Sequence, residues 1–206
     1  MTREQSTKPS IFSNELPSTF ITLAEARAQV VENPGDDDKL LNRLIIAAVE
    51  CVERDSNWML GSRPLVIRWR NFPGVCANRI LDLPLEVSPV TAVRSVTYRI
   101  AGGAQETLTD YELEQYTRPA FISLPPNAIW PAVQDGYIDS FKVECDAGLE
   151  PDSPLRCVGT AKQACLLLIG HWYANRETVL VGTISKSIEF AYSELIEALK
   201  TNRYVH

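Results

Sequence analysis

The segment that most constrains this chain is residues 153–177, an apolar run of helical period that ends in a polar string. Ser153 suits a helix N-cap, because its hydroxyl can accept from a free backbone N–H of the first turn. Pro154 suits the first helical position, where no donor is needed. Val158, Ala161, Cys165, Leu168 and Trp172 recur at steps of three and four and so mark one stripe, which Leu166, Leu167, Ile169 and Tyr173 widen almost all round. A helix apolar on most sides is a buried helix, so the other helices must pack on it. Its exit, Asn175, Arg176 and Glu177, reads as the point where the chain leaves the core for the surface.

Two helices are predicted ahead of it. Thr22, Leu23, Ala24 and Glu25 spell a capping box, in which the Thr22 hydroxyl and the Glu25 carboxylate satisfy backbone donors reciprocally. The short helix it opens turns Leu23, Ala26 and Val30 inward, and Asn33, Pro34 and Gly35 end it. Asp36, Asp37 and Asp38 then place negative charge where a second helix begins, which its macrodipole favours. Three consecutive carboxylates fan apart, so this run reads as a helix start rather than a metal site. Leu41, Leu44, Ile45, Ala48 and Val52 form the inward stripe, and the helix should stop between residues 58 and 61.

From residue 63 to residue 145 the period changes from helical to alternating. Leu65, Ile67 and Trp69 alternate with Val66, Arg68 and Arg70, and residues 80–83, 93–100, 111–116, 120–124 and 138–145 also read as strands. Ala101, Gly102, Gly103 and Ala104 signal a hairpin. Prolines at 84, 89, 125, 126 and 131 cannot continue a central ladder and mark connections. After the central helix, Ile188, Ala191, Tyr192, Leu195 and Leu199 space a final amphipathic helix, whose stripe meets either its own core or a neighbouring subunit.

The expected fold class is therefore α+β: a mainly helical bundle with a small antiparallel β unit inserted between the second and third long helices, and extended terminal arms. Residues 1–19 form the N-terminal arm, in which Ile11, Phe12 and Leu16 are anchors for a neighbour. Residues 20–62 are the first helical part, 63–148 the β insertion, 149–177 the central helix, and 178–206 a connector with the C-terminal helix and arm.

Composition narrows the function. The formal net charge is -6 over 206 residues, with no basic stripe to grip nucleic acid through its phosphates. The first ten residues lack a secretory apolar run, and the longest unbroken apolar run, residues 164–169, is far below the ~20 residues that span a bilayer. The expectation is a soluble protein with no membrane partner. Five cysteines, Cys51, Cys76, Cys145, Cys157 and Cys165, are an odd and scattered set that reads as reduced thiols in a cytoplasm. His171 is the sole interior histidine, and no Cys-x-x-Cys or His-Glu-x-x-His pattern occurs. Gly102 and Gly103 lack a phosphate-loop lysine, and Glu112, Glu114, Glu144 and Asp146 read as a strand's solvent face. Neither a catalytic site, a metal site nor a cofactor is expected.

Three strings in order, Ile21 to Ala26 (Ile-Thr-Leu-Ala-Glu-Ala), Asp36, Asp37, Asp38 followed by Leu44, Ile45, Ile46, Ala47, Ala48, and His171, Trp172, Tyr173, Ala174, Asn175, Arg176, Glu177 with Val181 and Gly182 behind it, carry a resemblance. Over residues 20–182 the chain resembles the head-tail connector proteins of tailed bacteriophages and gene transfer agents, also called adaptor or head-completion proteins. The resemblance implies a structural protein of the virion neck, made in the bacterial cytoplasm. It implies a dodecameric ring between the portal protein and a tail-side neck or tail terminator protein. Such a ring extends the channel for DNA, which passes without sequence-specific binding, and carries no catalysis. It further implies that Asn175, Arg176 and Glu177 hold the following connector or a neighbouring subunit, the alternative being that they simply cap the central helix, and that Ile188, Tyr192, Leu195, Leu199 and Tyr204 supply subunit or partner contacts. Two departures lie near the end, where the family's Leu-Pro and Pro-Tyr-Arg are replaced by residues 185–188 and 200–204. The rival readings are a small intracellular enzyme using His171 with a carboxylate, and a monomeric binding module using the β face around Trp69 and Tyr98.

Overall fold

A computed structural model describes residues 8–15, 17–30, 37–72, 82–115, 117–153, 157–175 and 186–201. The chain divides into two compact units, one of Pro17–Gly61 with Leu149–His206 and one of Met1–Leu16 with Ser62–Gly148.

The first unit is helical. α1 (Leu23–Val30) opens with the capping box as read from the sequence: the Glu25 N–H donates to Thr22 Oγ1 at 3.2 Å, and the Thr22 N–H donates to Glu25 Oε2 at 2.8 Å. α2 (Asp38–Ser56) stops at Asn57, which takes the left-handed conformation (φ 59°) that Asn tolerates better than most residues. The aspartates at its start do not cap it. Asp37 makes no side-chain cap bond and instead accepts from the Tyr173 hydroxyl at 2.8 Å, while Asp38 accepts from Arg27 Nε at 3.0 Å. Asp36 lies outside the described residues, as do Asn33, Pro34 and Gly35.

α3 (Cys157–Ala174) is the buried helix that its composition demands. Val158, Ala161, Ala164, Cys165, Leu168 and Ile169 are all buried in one core with Ala26 of α1 and Leu41, Ala48 and Val52 of α2. Its expected first turn, residues 154–156, lies outside the described residues. α4 (Lys186–Thr201) closes the unit on the same core through Tyr192, Ile196 and Leu199. Ile196, outside the expected stripe, is buried, whereas Ala191 within it is exposed. Where the chain leaves this unit and re-enters it, Leu60 and Leu149 form a parallel bridge, with the Leu149 N–H donating to Met59 O at 2.7 Å and the Gly61 N–H to Leu149 O at 2.9 Å.

The second unit holds two antiparallel sheets. In the larger, β1 (Ser10–Phe12), β2 (Arg63–Trp69), β8 (Phe141–Ala147), β4 (Val90–Arg99) and β5 (Gln105–Leu108) lie in that order. The smaller orders β3 (Asp82–Pro84), β7 (Phe121–Ser123) and β6 (Glu112–Glu114). Alternation places Leu65, Ile67 and Trp69 inward, opposite Cys145, Val143 and Phe141. The β4–β5 hairpin turns on Gly102 (φ 92°) and Gly103 (φ 82°), which adopt positive φ without steric cost.

Three expectations need correction. The fold is mixed α+β and not a mainly helical bundle, because the β unit has two sheets and buried residues of its own rather than serving as a small appendage. Ile11 and Phe12 do not extend free as an arm: they pair with Ile67 and Val66, and the Arg68 guanidinium lies 4.4 Å from the Phe12 ring centroid. Leu16 lies outside the described residues. The last strand begins at Phe141 rather than at residue 138, because Ser140 Oγ accepts from the Tyr137 N–H at 3.1 Å and folds residues 137–140 into a turn.

Candidate interaction surfaces

At the end of α3 the geometry is that of a cap. The Asn175 N–H and its Nδ2 both donate to His171 O, at 3.1 and 2.8 Å. Nδ2 also stands 3.1 Å from His171 Nδ1, which accepts only in the tautomer with its proton on Nε2. His171 is thus buried and bonded to Asn175 of its own helix, an arrangement that suits a packed histidine. Arg176 and Glu177 lie outside the described residues.

The α4 stripe is used by its own unit. Tyr192 is buried and its hydroxyl donates to Asp55 Oδ2 at 2.9 Å. Burial pushes the phenol well above its usual range, and the Asp55 carboxylate adds to that. On Asp55 itself burial acts upward but is outweighed by Arg54 and Tyr192, so its pKa falls below the ordinary 3.8. Leu199 is fully buried, and its carbonyl accepts from Trp58 Nε1 at 3.0 Å. Leu195 packs partly buried against the same core and Ile188 is half-buried. Tyr204 lies outside the described residues.

The apolar side chains that stay open are others. On α2, Ile46 is 60 % exposed, and on α4, Phe190 is 68 % exposed. Each stands off the inward stripe of its helix, and that displacement was the available signal. In the β unit, Ile129 is 85 % exposed and Ile138 63 % exposed, on a connection between β7 and β8 that is firmly anchored. Trp130 packs against Phe72 and Phe141 with centroids 5.5 and 5.9 Å away, the Phe72 N–H donates to Asp135 Oδ1 at 2.8 Å, and Arg99 grips Asp139 through Nε and Nη2, both at 2.8 Å.

The rival sites find less support. Trp69 is 2 % exposed, stacked edge-on against Phe141, and the Tyr98 hydroxyl donates to Glu106, so that sheet face is filled by its own chain. Glu144 pairs with Lys142 at 2.8 Å and Asp146 with Arg94 at 2.7 Å. Burial raises the Cys145 and Cys165 thiols to about 12, which keeps both protonated and unreactive at neutral pH. Cys51, Cys145, Cys157 and Cys165 are free thiols, and Cys76 lies outside the described residues. Among the described residues no group of His, Cys, Asp or Glu is placed to hold a metal ion, and no helix is long and apolar enough to cross a membrane.

No protein-family model matches the chain, and no curated protein matches it. Solved structures do. A chain in the neck of an empty gene transfer agent particle, computed with C6 symmetry, superposes with a TM-score of 0.67 at 23% identity, and one in the neck of the native particle, computed with C12 symmetry, with 0.67 at 20%. A chain in the virion of the native gene transfer agent particle gives 0.65 at 20%. Each match covers 95% of this chain and 97% of the other. Helical unit and β unit together thus follow one known chain almost from end to end, and the protein has the fold of a chain found in the neck of gene transfer agent particles.

Proposed function

We propose that this chain is a structural protein of a virion neck: a head-tail connector, or adaptor, that forms a ring between portal and tail and extends the DNA channel. The observation that carries the reading is the match over 95% of the chain to chains of gene transfer agent necks, one of them computed with C12 symmetry. A dodecameric ring agrees with that symmetry. The portal on one side and a tail-side neck or tail terminator protein on the other are its partners, and the particle neck is its location. A formal charge of -6 per copy suits a conduit, since a ring of such subunits repels the phosphate backbone and lets DNA slide. In this role the chain is not an enzyme and needs no cofactor. The helical segments 20–62 and 149–177 build the ring, and 63–148 is its insertion. Asn175 closes α3, and Arg176 and Glu177 are the residues of that string proposed to contact the connector or a neighbouring subunit.

The test is native mass spectrometry of the full chain alone and with its portal. A discrete complex holding a fixed, ring-sized number of copies per portal is expected. A chain that stays monomeric beside the portal at high concentration contradicts the proposal. Template-dependent assembly agrees with it, because weak contacts between copies gain from a scaffold that holds them together.

A further inference from the structure

Ile46 and Phe190 do not stand alone: each is set in a charged row on the outer face of its helix. On α2, Lys39, Arg43 and Ile46 are exposed at steps of four and three. On α4, Phe190, Glu194 and Glu197 are exposed at the same two steps. Both rows point away from the core, because Leu41, Ala48 and Val52 of α2 and Tyr192, Ile196 and Leu199 of α4 occupy the opposite faces.

We infer that the outer face of α2 in one copy docks on the outer face of α4 in the next, with the two helices antiparallel and Ile46 against Phe190. This rests on the ring reading above. The spacing carries it. From Ile46 the cations lie three and seven residues back, and from Phe190 the carboxylates lie four and seven residues forward. At ~1.5 Å per residue the two rows stay within about 1.5 Å of register, so Arg43 meets Glu194 and Lys39 meets Glu197. Run in parallel, the same alignment sets Glu194 against Glu50 and Glu197 against Glu53, like on like. The charges therefore admit one direction and oppose the other. Glu197 already holds Lys200 at 3.2 Å, an exposed pair that is weak in water and yields readily to a cation from a neighbour. The two faces are different surfaces of one chain, and in a ring they meet head to tail. Each copy then keeps one face of each kind for the next, and the series makes a ring when the rotation between copies closes.

The test joins the faces covalently. Full chain carrying both Ile46→Cys and Phe190→Cys, assembled with its portal and treated with a short bis-maleimide, is expected to give a ladder of dimers, trimers and higher species. Either single variant sets the background from native cysteines. A ladder no longer than the single variants', from assemblies that electron microscopy shows to be rings, overturns this contact and leaves the ring reading intact. A product that stops at dimers overturns the head-to-tail arrangement. Absence of any assembly overturns both. As an independent check, Arg43→Glu is expected to weaken assembly at least about tenfold and added Glu194→Arg to restore it. Failure of the pair to restore contradicts the register.

Discussion

The helical unit and the β unit hold together by different means. In the helical unit, one buried helix, α3, gathers the others, and the start, stop and inward face of the helices are marked by nearby residues: a capping box at Thr22, a left-handed stop at Asn57, an apolar stripe at steps of three and four. In the β unit, the defining contacts join residues far apart in the chain. Phe12 pairs with Val66, Trp69 with Phe141, and the Arg99 guanidinium fixes Asp139. Local signals set out the helices, which bonds such as Trp58 to Leu199 then join across the chain, whereas the strands exist only through their pairing. Their responses to substitution should differ accordingly.

The largest effect should come from Trp58→Ala. The indole is 1 % exposed in the helical core and its N–H donates to the Leu199 carbonyl, so truncation leaves a cavity and removes that hydrogen bond. A loss of ~3–5 kcal/mol is expected from chemical denaturation. The four tryptophans divide evenly, Trp58 and Trp172 in one unit and Trp69 and Trp130 in the other, so fluorescence from single-tryptophan variants reports each unit separately. A loss registered first by Trp69 or Trp130 would break the contrast drawn above.

Next come two glycines with positive φ. At Gly61 (φ 74°) an added Cβ would stand 2.3 Å from the Ser18 carbonyl oxygen, whereas at Gly102 (φ 92°) it meets nothing within 4 Å. Gly61→Ala is expected to lose at least ~1–3 kcal/mol through strain and clash together, and Gly102→Ala less, through strain alone. Equal melting temperatures for the two variants would show that the tight crossing beside Ser18 relaxes freely.

The smallest effect is acid sensitivity, and here the units should behave alike. Burial raises the Glu25 pKa, but Lys162 and Thr22 outweigh it, so the carboxyl falls below its ordinary 4.5. Arg99 holds Asp139 below 3.8. In the folded chain each stays charged to lower pH than in the unfolded chain, so the unfolded state takes up protons first. The stabilisation is full above those ordinary values and is lost as pH falls from them through the lower values of the folded chain. Asp139→Asn and Glu25→Gln should each lower stability at neutral pH by ~1 kcal/mol or less and flatten the acid slope. A slope that is unchanged in both variants would assign acid sensitivity to other carboxylates.

Legibility in the sequence follows the same division. The capping box, the buried α3 and the inward faces of β2 could be read because each signal is complete within one turn or one strand. The pairing of Ser10–Phe12 with β2 could not, since nothing near Ile11 marks a partner more than fifty residues away. Asp37 and Asp38 read as helix-start charges, yet Tyr173 and Arg27 claim their carboxylates, a choice made by tertiary packing. The α4 stripe was legible as a stripe, but periodicity does not say whether Tyr192 and Leu199 meet their own core or another chain. Ile46 and Phe190 are the more telling residues for an outward role: each is apolar and off the stripe of its own helix.

The central claim is that copies of this chain form a ring in a virion neck. Cryo-electron microscopy of purified particles, averaged around the axis through the portal vertex, tests it most directly. A closed ring of this chain between portal and tail, with α2 of each copy against α4 of the next, is expected. Particles whose neck lacks the chain, or in which it sits as isolated monomers, would contradict it.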